Sequence, residues 1–145
     1  MANGDAYQDD PTILNNDPLW RRIPDDHWIY DENAVPPRAR PSSDAFRDDP
    51  DGEPMSVFLG RETANVEEIL VDHDNYKVAS VSAGFARQLE QAIARDPLDG
   101  LPSHAVVVGN KRKSGRDKKF AKAAVWVVGP TDAEIRAEIQ AKLGG

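Results

Sequence analysis

The chain has 145 residues, 39% hydrophobic and 30% charged, with a net charge of −7 and no cysteine. That supports one modest core and excludes a disulfide framework, a thiolate metal cluster and a cysteine nucleophile. No window approaches the roughly 18 apolar residues of a membrane span, and MANGDAYQDD at the N-terminus has neither the basic nor the apolar stretch of a secretion signal. The expectation is therefore a soluble, cytoplasmic protein with no membrane partner.

In chain order the first third is irregular. Residues 1–17 are polar and rich in Asp, the composition of a flexible acidic arm. Residues 18–54 form an extended segment anchored by aromatics: LWRRIPDDHWIY at 19–30 holds Trp20, Ile23, Trp28, Ile29 and Tyr30, too much apolar surface to stay in water. The prolines, paired serines and Asp-Gly of residues 31–54 read as a long surface loop, with a turn of helix near Asp44 to Arg47.

Residues 55–145 read as a compact core. MSVFL at 55–59 is a strand, and a helix follows from Thr63, its N-cap, with Val66, Ile69 and Leu70 on one face. YKVASVSA at 76–83 alternates as a second strand. Phe85, Leu89 and Ile93 recur every four residues, which predicts a helix ended by Asp96 and Pro97. HAVVVG at 104–109 and AAVWVV at 123–128 read as central strands that pair with each other. TDAE at 131–134 is a capping box opening a final helix with Ile135, Ile139 and Leu143 as its buried seam. The sum is a small single-domain α+β protein with about four strands and about three helices.

Charge is unevenly distributed. Residues 1–54 carry thirteen acids against five bases, a net −8, with eight of the eleven prolines; GNKRKSGRDKKFAK at 109–122 carries seven bases and one acid, a net +6. Such a cluster attracts polyanions even on an acidic body. The first functional reading is thus a binding module that contacts nucleic acid or an acidic protein surface through Lys111, Arg112, Lys113, Arg116, Lys118 and Lys119. The loop lacks the Walker spacing, and interleaved aromatics are nearly absent. Equally open is an internal use, in which the acidic N-terminal part lies on the basic loop of the same molecule or, in a homo-oligomer, of a neighbouring copy.

An enzymatic reading draws on Arg21, Arg22, His27, Ser42, Ser43, His73, His104 and scattered carboxylates, with Arg22, Ser43 and Glu67 as its candidates. An Arg and a Ser beside one pocket suit a phosphorylated or dinucleotide substrate, with a Glu stabilising an electron-poor sugar carbon, as in an NAD-type transferase or glycohydrolase. Against it, RPSS also fits a loop in which Ser42 or Ser43 caps the turn through Phe46, the commoner role for such a serine. Asp72, His73 and Asp74 are adjacent rather than convergent, so they read as a turn, and no metal or cofactor is expected.

Overall fold

The computed structural model describes residues 7–144; residues 1–6 of the acidic arm and Gly145 lie outside the described residues. Eight strands and three helices form an α+β domain: β1 (Pro18–Ile23), β2 (Trp28–Asp31), β3 (Arg38–Pro41), β4 (Met55–Leu59), β5 (Lys77–Ser82), α1 (Ala83–Gln88), β6 (Ala92–Arg95), β7 (His104–Val108), α2 (Arg116–Ala123), β8 (Val125–Val128) and α3 (Asp132–Gly144). Six strands make an antiparallel sheet in the order β6-β7-β4-β1-β5-β8, and β2 pairs with β3 in a separate ribbon. No described helix is long and apolar enough to cross a membrane.

The sheet has more strands than the four expected, for two reasons. β1 alternates Leu19, Arg21 and Ile23 on one face with Trp20 and Arg22 on the other, and its paired arginines conceal a central strand whose Leu19 and Ile23 are fully buried. The expected helix through Ile93 ends early: α1 stops at Gln88, the chain turns through Glu90 at φ 61°, and Ile93 enters β6, where it pairs with Val107. The four-residue spacing of Phe85, Leu89 and Ile93 thus spans a helix and a strand, and a short apolar run cannot separate these by period alone. The helix expected from Thr63 is a short 3-10 turn, Val66–Leu70, capped by Asn65; Thr63 is buried, and its hydroxyl donates instead to the Leu59 carbonyl and shares a hydrogen bond with the Ser103 hydroxyl.

Apolar side chains cover both faces of the sheet. On one face Leu19, Ile23, Val57, Leu59, Ala79 and Val81 pack against Phe46 and Phe120, whose rings stack 5.7 Å apart. Phe58, Ile69 and Val78 occupy the other face with Trp20 and Leu70. Each fully buried aromatic contributes on the order of 2–3 kcal/mol through the area it removes from water.

β7 and β8 do not pair. Three strands separate them, so the basic segment is a crossover over the sheet and β8 is an edge strand, with Val125 59% exposed. The opposite edge is covered by the N-terminal segment: the Asp10 amide donates to the Ile93 carbonyl at 2.8 Å, and the Ile93 amide donates to Asp9 at 3.0 Å. Arg87 and Arg95 pair with Asp9 and Asp10, and Ile13 is buried beside them. This shields an edge that would otherwise template another strand.

The capping box of α3 is formed, with Thr131 and Glu134 exchanging backbone-to-side-chain bonds of 2.9 and 3.1 Å. Its seam is not buried as expected: Ile135 and Ile139 are only half-buried, and Leu143 is exposed. A charge holds the helix instead. Lys77, its side chain 7% exposed, donates to Glu134 at 2.7 Å and Asp25 at 2.9 Å. Burial alone would lower the Lys77 pKa, but the two carboxylates overcome it and raise it, while Lys77 and the cap hold Glu134 below its usual value. A lowered carboxylate pKa stabilises the fold above the unfolded-state value near pH 4.3, and that stability disappears as pH falls through the folded-state value. The raised Lys77 pKa acts oppositely, contributing below about pH 10.4 and fading as pH rises through the folded-state value. Glu134→Gln is therefore expected to cost about 1 kcal/mol at pH 7, and the gap to the native protein in denaturant melts should close towards pH 3. A gap independent of pH would show that the ion pair does not hold α3.

Candidate functional site

The site grows from a fork in the sheet. β1 and β4 are paired only at Leu19 with Leu59 and Trp20 with Phe58. Beyond that point β1 stays with β5 as far as Ile23, and β4 stays with β7 as far as Met55. The two half-sheets therefore part where Arg21 and Arg22 would have met Val57 and Ser56. Arg21 takes up the carbonyl that the opened ladder exposes, donating to Ser56 O at 2.8 Å and to Ala45 O at 2.9 Å. A backbone acceptor that has lost its strand partner is thus satisfied by a charged side chain.

A cleft of about 550 Å³ lies at the fork, lined by Arg21, Arg22, Ser56, His73, Tyr76 and the acidic 44–50 segment. Arg22 comes from the opposite face of β1. Its guanidinium sits 4.9 Å above the Phe58 ring and donates to Ile69 O at 3.1 Å. His73 Nδ1 lies 2.8 Å from Val71 O and 3.2 Å from Arg22 Nη1. One ring nitrogen cannot donate to the carbonyl and accept from the guanidinium together; the shorter contact places the proton on Nδ1 and leaves Nε2 as the acceptor. The Tyr76 ring packs edge-on to His73 at 4.9 Å.

The charge balance of the cleft is distinctive. Arg40, Arg47, Arg87 and Arg116 are buried or half-buried, and each has a carboxylate within 4 Å. Arg38 closes the end of α2 by donating to the Lys122 and Ala124 carbonyls. Arg21 and Arg22 have no carboxylate within 4 Å among the described residues, and Nη2 of each donates to no described protein group. Burial pushes the Arg21 guanidinium down to about 10, the nearby Asp49 and Asp48 opposing the shift, so it remains charged at neutral pH. Burial lowers Arg22 in the same direction. Of the carboxylates at the mouth, Asp44 is paired with Arg47 at 2.6 Å and Asp48 with Lys111 at 2.7 Å, leaving Asp49 facing two arginines. The arrangement can hold an anion.

The residues singled out in the sequence separate. Arg22 lines the cleft; Ser43 sits beside lining residue Asp44, in the 3-10 turn Ser43–Ala45, without lining it itself. Glu67 is exposed on the turn whose Ile69 carbonyl holds Arg22. Neither serine caps through its side chain; Ser42 donates to His27 O. Arg21, His27 and His73, from the wider set of candidates, line the cleft with Arg22; Ser56 and Tyr76 were not singled out, and their only sequence signal was their place in the apolar strand segments at 55–59 and 76–83.

The basic run is divided by burial. Lys111, 3% exposed, donates to Asp48, Val107 O and Gly109 O at 2.7, 2.9 and 2.8 Å. Burial lowers its pKa against the opposing pull of Asp48. Arg116 is buried and paired with Glu90. Arg112, Lys113, Lys118 and Lys119 are exposed. One acid of the N-terminal part, Asp48, pairs with Lys111 of the basic segment, and a second contact runs the opposite way, from Arg47 to Asp117. No family model, curated protein or solved structure matches the chain.

This division has a measurable consequence. Lys111→Ala would leave the Val107 and Gly109 carbonyls without their ammonium donor and break the partly buried pair with Asp48, and is expected to cost about 2–3 kcal/mol in denaturant melts. Alanine at Lys113, Lys118 or Lys119 should stay within about 0.5 kcal/mol of the native protein. Equal costs at buried and exposed positions would contradict it.

Proposed function

We propose that the chain binds a small phosphate-bearing ligand in the cleft at the β1/β4 fork, with Arg21 and Arg22 as the anion-binding pair. The observation that carries this reading is the pair of half-buried guanidiniums facing a cleft with no carboxylate within 4 Å of either among the described residues. Placing charge in a partly dry site without a partner is costly, and such groups concentrate at functional sites. Guanidinium forks match phosphate oxygens, and a group that bonds two of them at once gains direction as well as energy. His73, Ser56 and Tyr76 supply further polar groups around the same space. The reading is one of binding: Ser43 and Glu67 have no place in it.

Arg22 is the better position to test, because it makes one backbone bond where Arg21 makes two. Titration calorimetry with inorganic phosphate and a phosphate monoester is expected to show binding that weakens at least tenfold in Arg22→Gln, about 1.4 kcal/mol or more, with the melting temperature little changed. Binding of equal strength in the variant would remove the arginine pair from the site.

A second reading keeps the polyanion surface, on a separate observation. Lys113, Lys118 and Lys119 are exposed and have no carboxylate within 4 Å among the described residues, while Lys111 and Arg116 fix the segment from within. A surface of this kind supports contact with a phosphate backbone through charge alone. If three cations meet three phosphates, neutralising Lys113, Lys118 and Lys119 together should lower the salt slope of single-stranded DNA binding by about two, at about 0.7 per contact. An unchanged slope would locate the contact elsewhere.

A further inference from the structure

We infer that Lys111 is a positioning residue for the anion cleft: by holding Asp48 it keeps that carboxylate from pairing with Arg21, so the chain does not occupy the site with its own side chain. The inference deepens, and rests on, the reading of the cleft as an anion site. Asp48 stands in the wall between two spaces, lining both the Arg21 cleft and the crevice that contains Lys111. Its Oδ1 accepts from Lys111 Nζ at 2.7 Å and from the Met55 amide at 3.1 Å. Its side chain is 38% exposed, so it has room to turn.

Lys111 cannot itself meet a ligand. Its side chain is 2% exposed, and its three donor bonds go to Asp48, Val107 O and Gly109 O. A fully bonded buried ammonium is a fixed charge whose one ionic partner is the carboxylate at the cleft wall. Without it, Arg21 and Arg22 would face both Asp48 and Asp49, and the cleft would lose its positive excess. A neighbouring carboxylate would then compete with any anion from solution at very high effective concentration. The charge of Asp48 already acts on the Arg21 guanidinium. The prominent cation of the basic run therefore works from inside the molecule, on a site formed by other elements.

The experiment uses the full chain and two readouts. The first is the rate at which phenylglyoxal modifies Arg21, followed by peptide mass spectrometry, with Lys111→Gln as the variant because its amide can still donate to the Val107 and Gly109 carbonyls. Modification of Arg21 is expected to slow on the order of tenfold, the effect of one unit charge brought near in a partly solvated site, and to recover in Lys111→Gln with Asp48→Asn. The second readout is inorganic phosphate affinity, expected to weaken and recover in the same order. An Arg21 rate in Lys111→Gln equal to the native one overturns the inference, whatever phosphate does. A native protein that shows no phosphate binding, but the expected labelling pattern, removes the cleft reading and leaves the Lys111 clasp standing. Asp48→Asn alone answers the question should Lys111→Gln fail to fold. Its Arg21 rate should stay within about twofold of the native one, because Asp48 is already withheld, and a tenfold rise would mean that Asp48 occupies Arg21 in the native protein and overturn the inference.

Discussion

The guanidinium of Arg21 is the constraint on which the site depends. A sheet whose central strands part after two paired residues leaves backbone acceptors facing each other across a gap, and inside a protein such groups must find donors. Arg21 supplies them by bonding the β4 carbonyl of Ser56 and the Ala45 carbonyl of the covering segment. One side chain thus holds the fork open at a fixed width and ties the 44–50 segment across it. The cost is a positive charge kept in a partly dry place. Closing the ladder would remove the cavity and the need for the charge together, so cavity and arginine are one structural solution.

Arg22 follows from the same strand by alternation. Successive residues of β1 point to opposite faces, yet at the end of a split strand both faces border the opening. The second arginine reaches it over Phe58, beneath the turn that carries Ile69. Two cations that a continuous sheet would have kept a full layer apart therefore line one cleft. Electrostatics alone would disfavour this, and the 44–50 acids offset it in part. Because Arg47 and Lys111 occupy two of those acids, the offset is incomplete.

Sequence patterning revealed the elements with one unambiguous period or motif. The strands at β4, β5 and β7 and the Thr131–Glu134 capping box are where apolar runs and caps placed them. It was misleading where one feature served two elements. Ile93 keeps helical spacing from Phe85 and Leu89, but the left-handed turn at Glu90 turns the chain into β6. The arginines of β1 interrupt its apolar pattern, and Arg21 shares a face with the buried Leu19 and Ile23, so the segment did not stand out as a strand. Arg22 was legible as a candidate, yet the cleft was not, since it arises from the register at which β1 and β4 stop pairing. The basic run was legible as a cluster; that Lys111 and Arg116 turn inward depends on Asp48 and Glu90, far away in sequence.

The division of labour between apolar and charged groups explains this pattern of success and failure. The sheet and its two apolar faces determine that the chain folds, and those contacts announce themselves through periodicity. In the peripheral segments ion pairs supplement an apolar anchor or a backbone bond: the N-terminal segment, anchored by Ile13, pairs through Arg87 and Arg95, the cleft mouth, anchored by Phe46, through Lys111 and Arg47, and α3 through Lys77. Exposed pairs contribute little stability, and partly buried ones act more by selecting a position than by strengthening the fold. Partners chosen by charge leave no periodic trace in sequence. It follows that acid should act on α3 well before it reaches the core, because the Glu134 carboxylate that places the helix has its pKa lowered by Lys77 and the cap, while the contacts that form the sheet do not titrate.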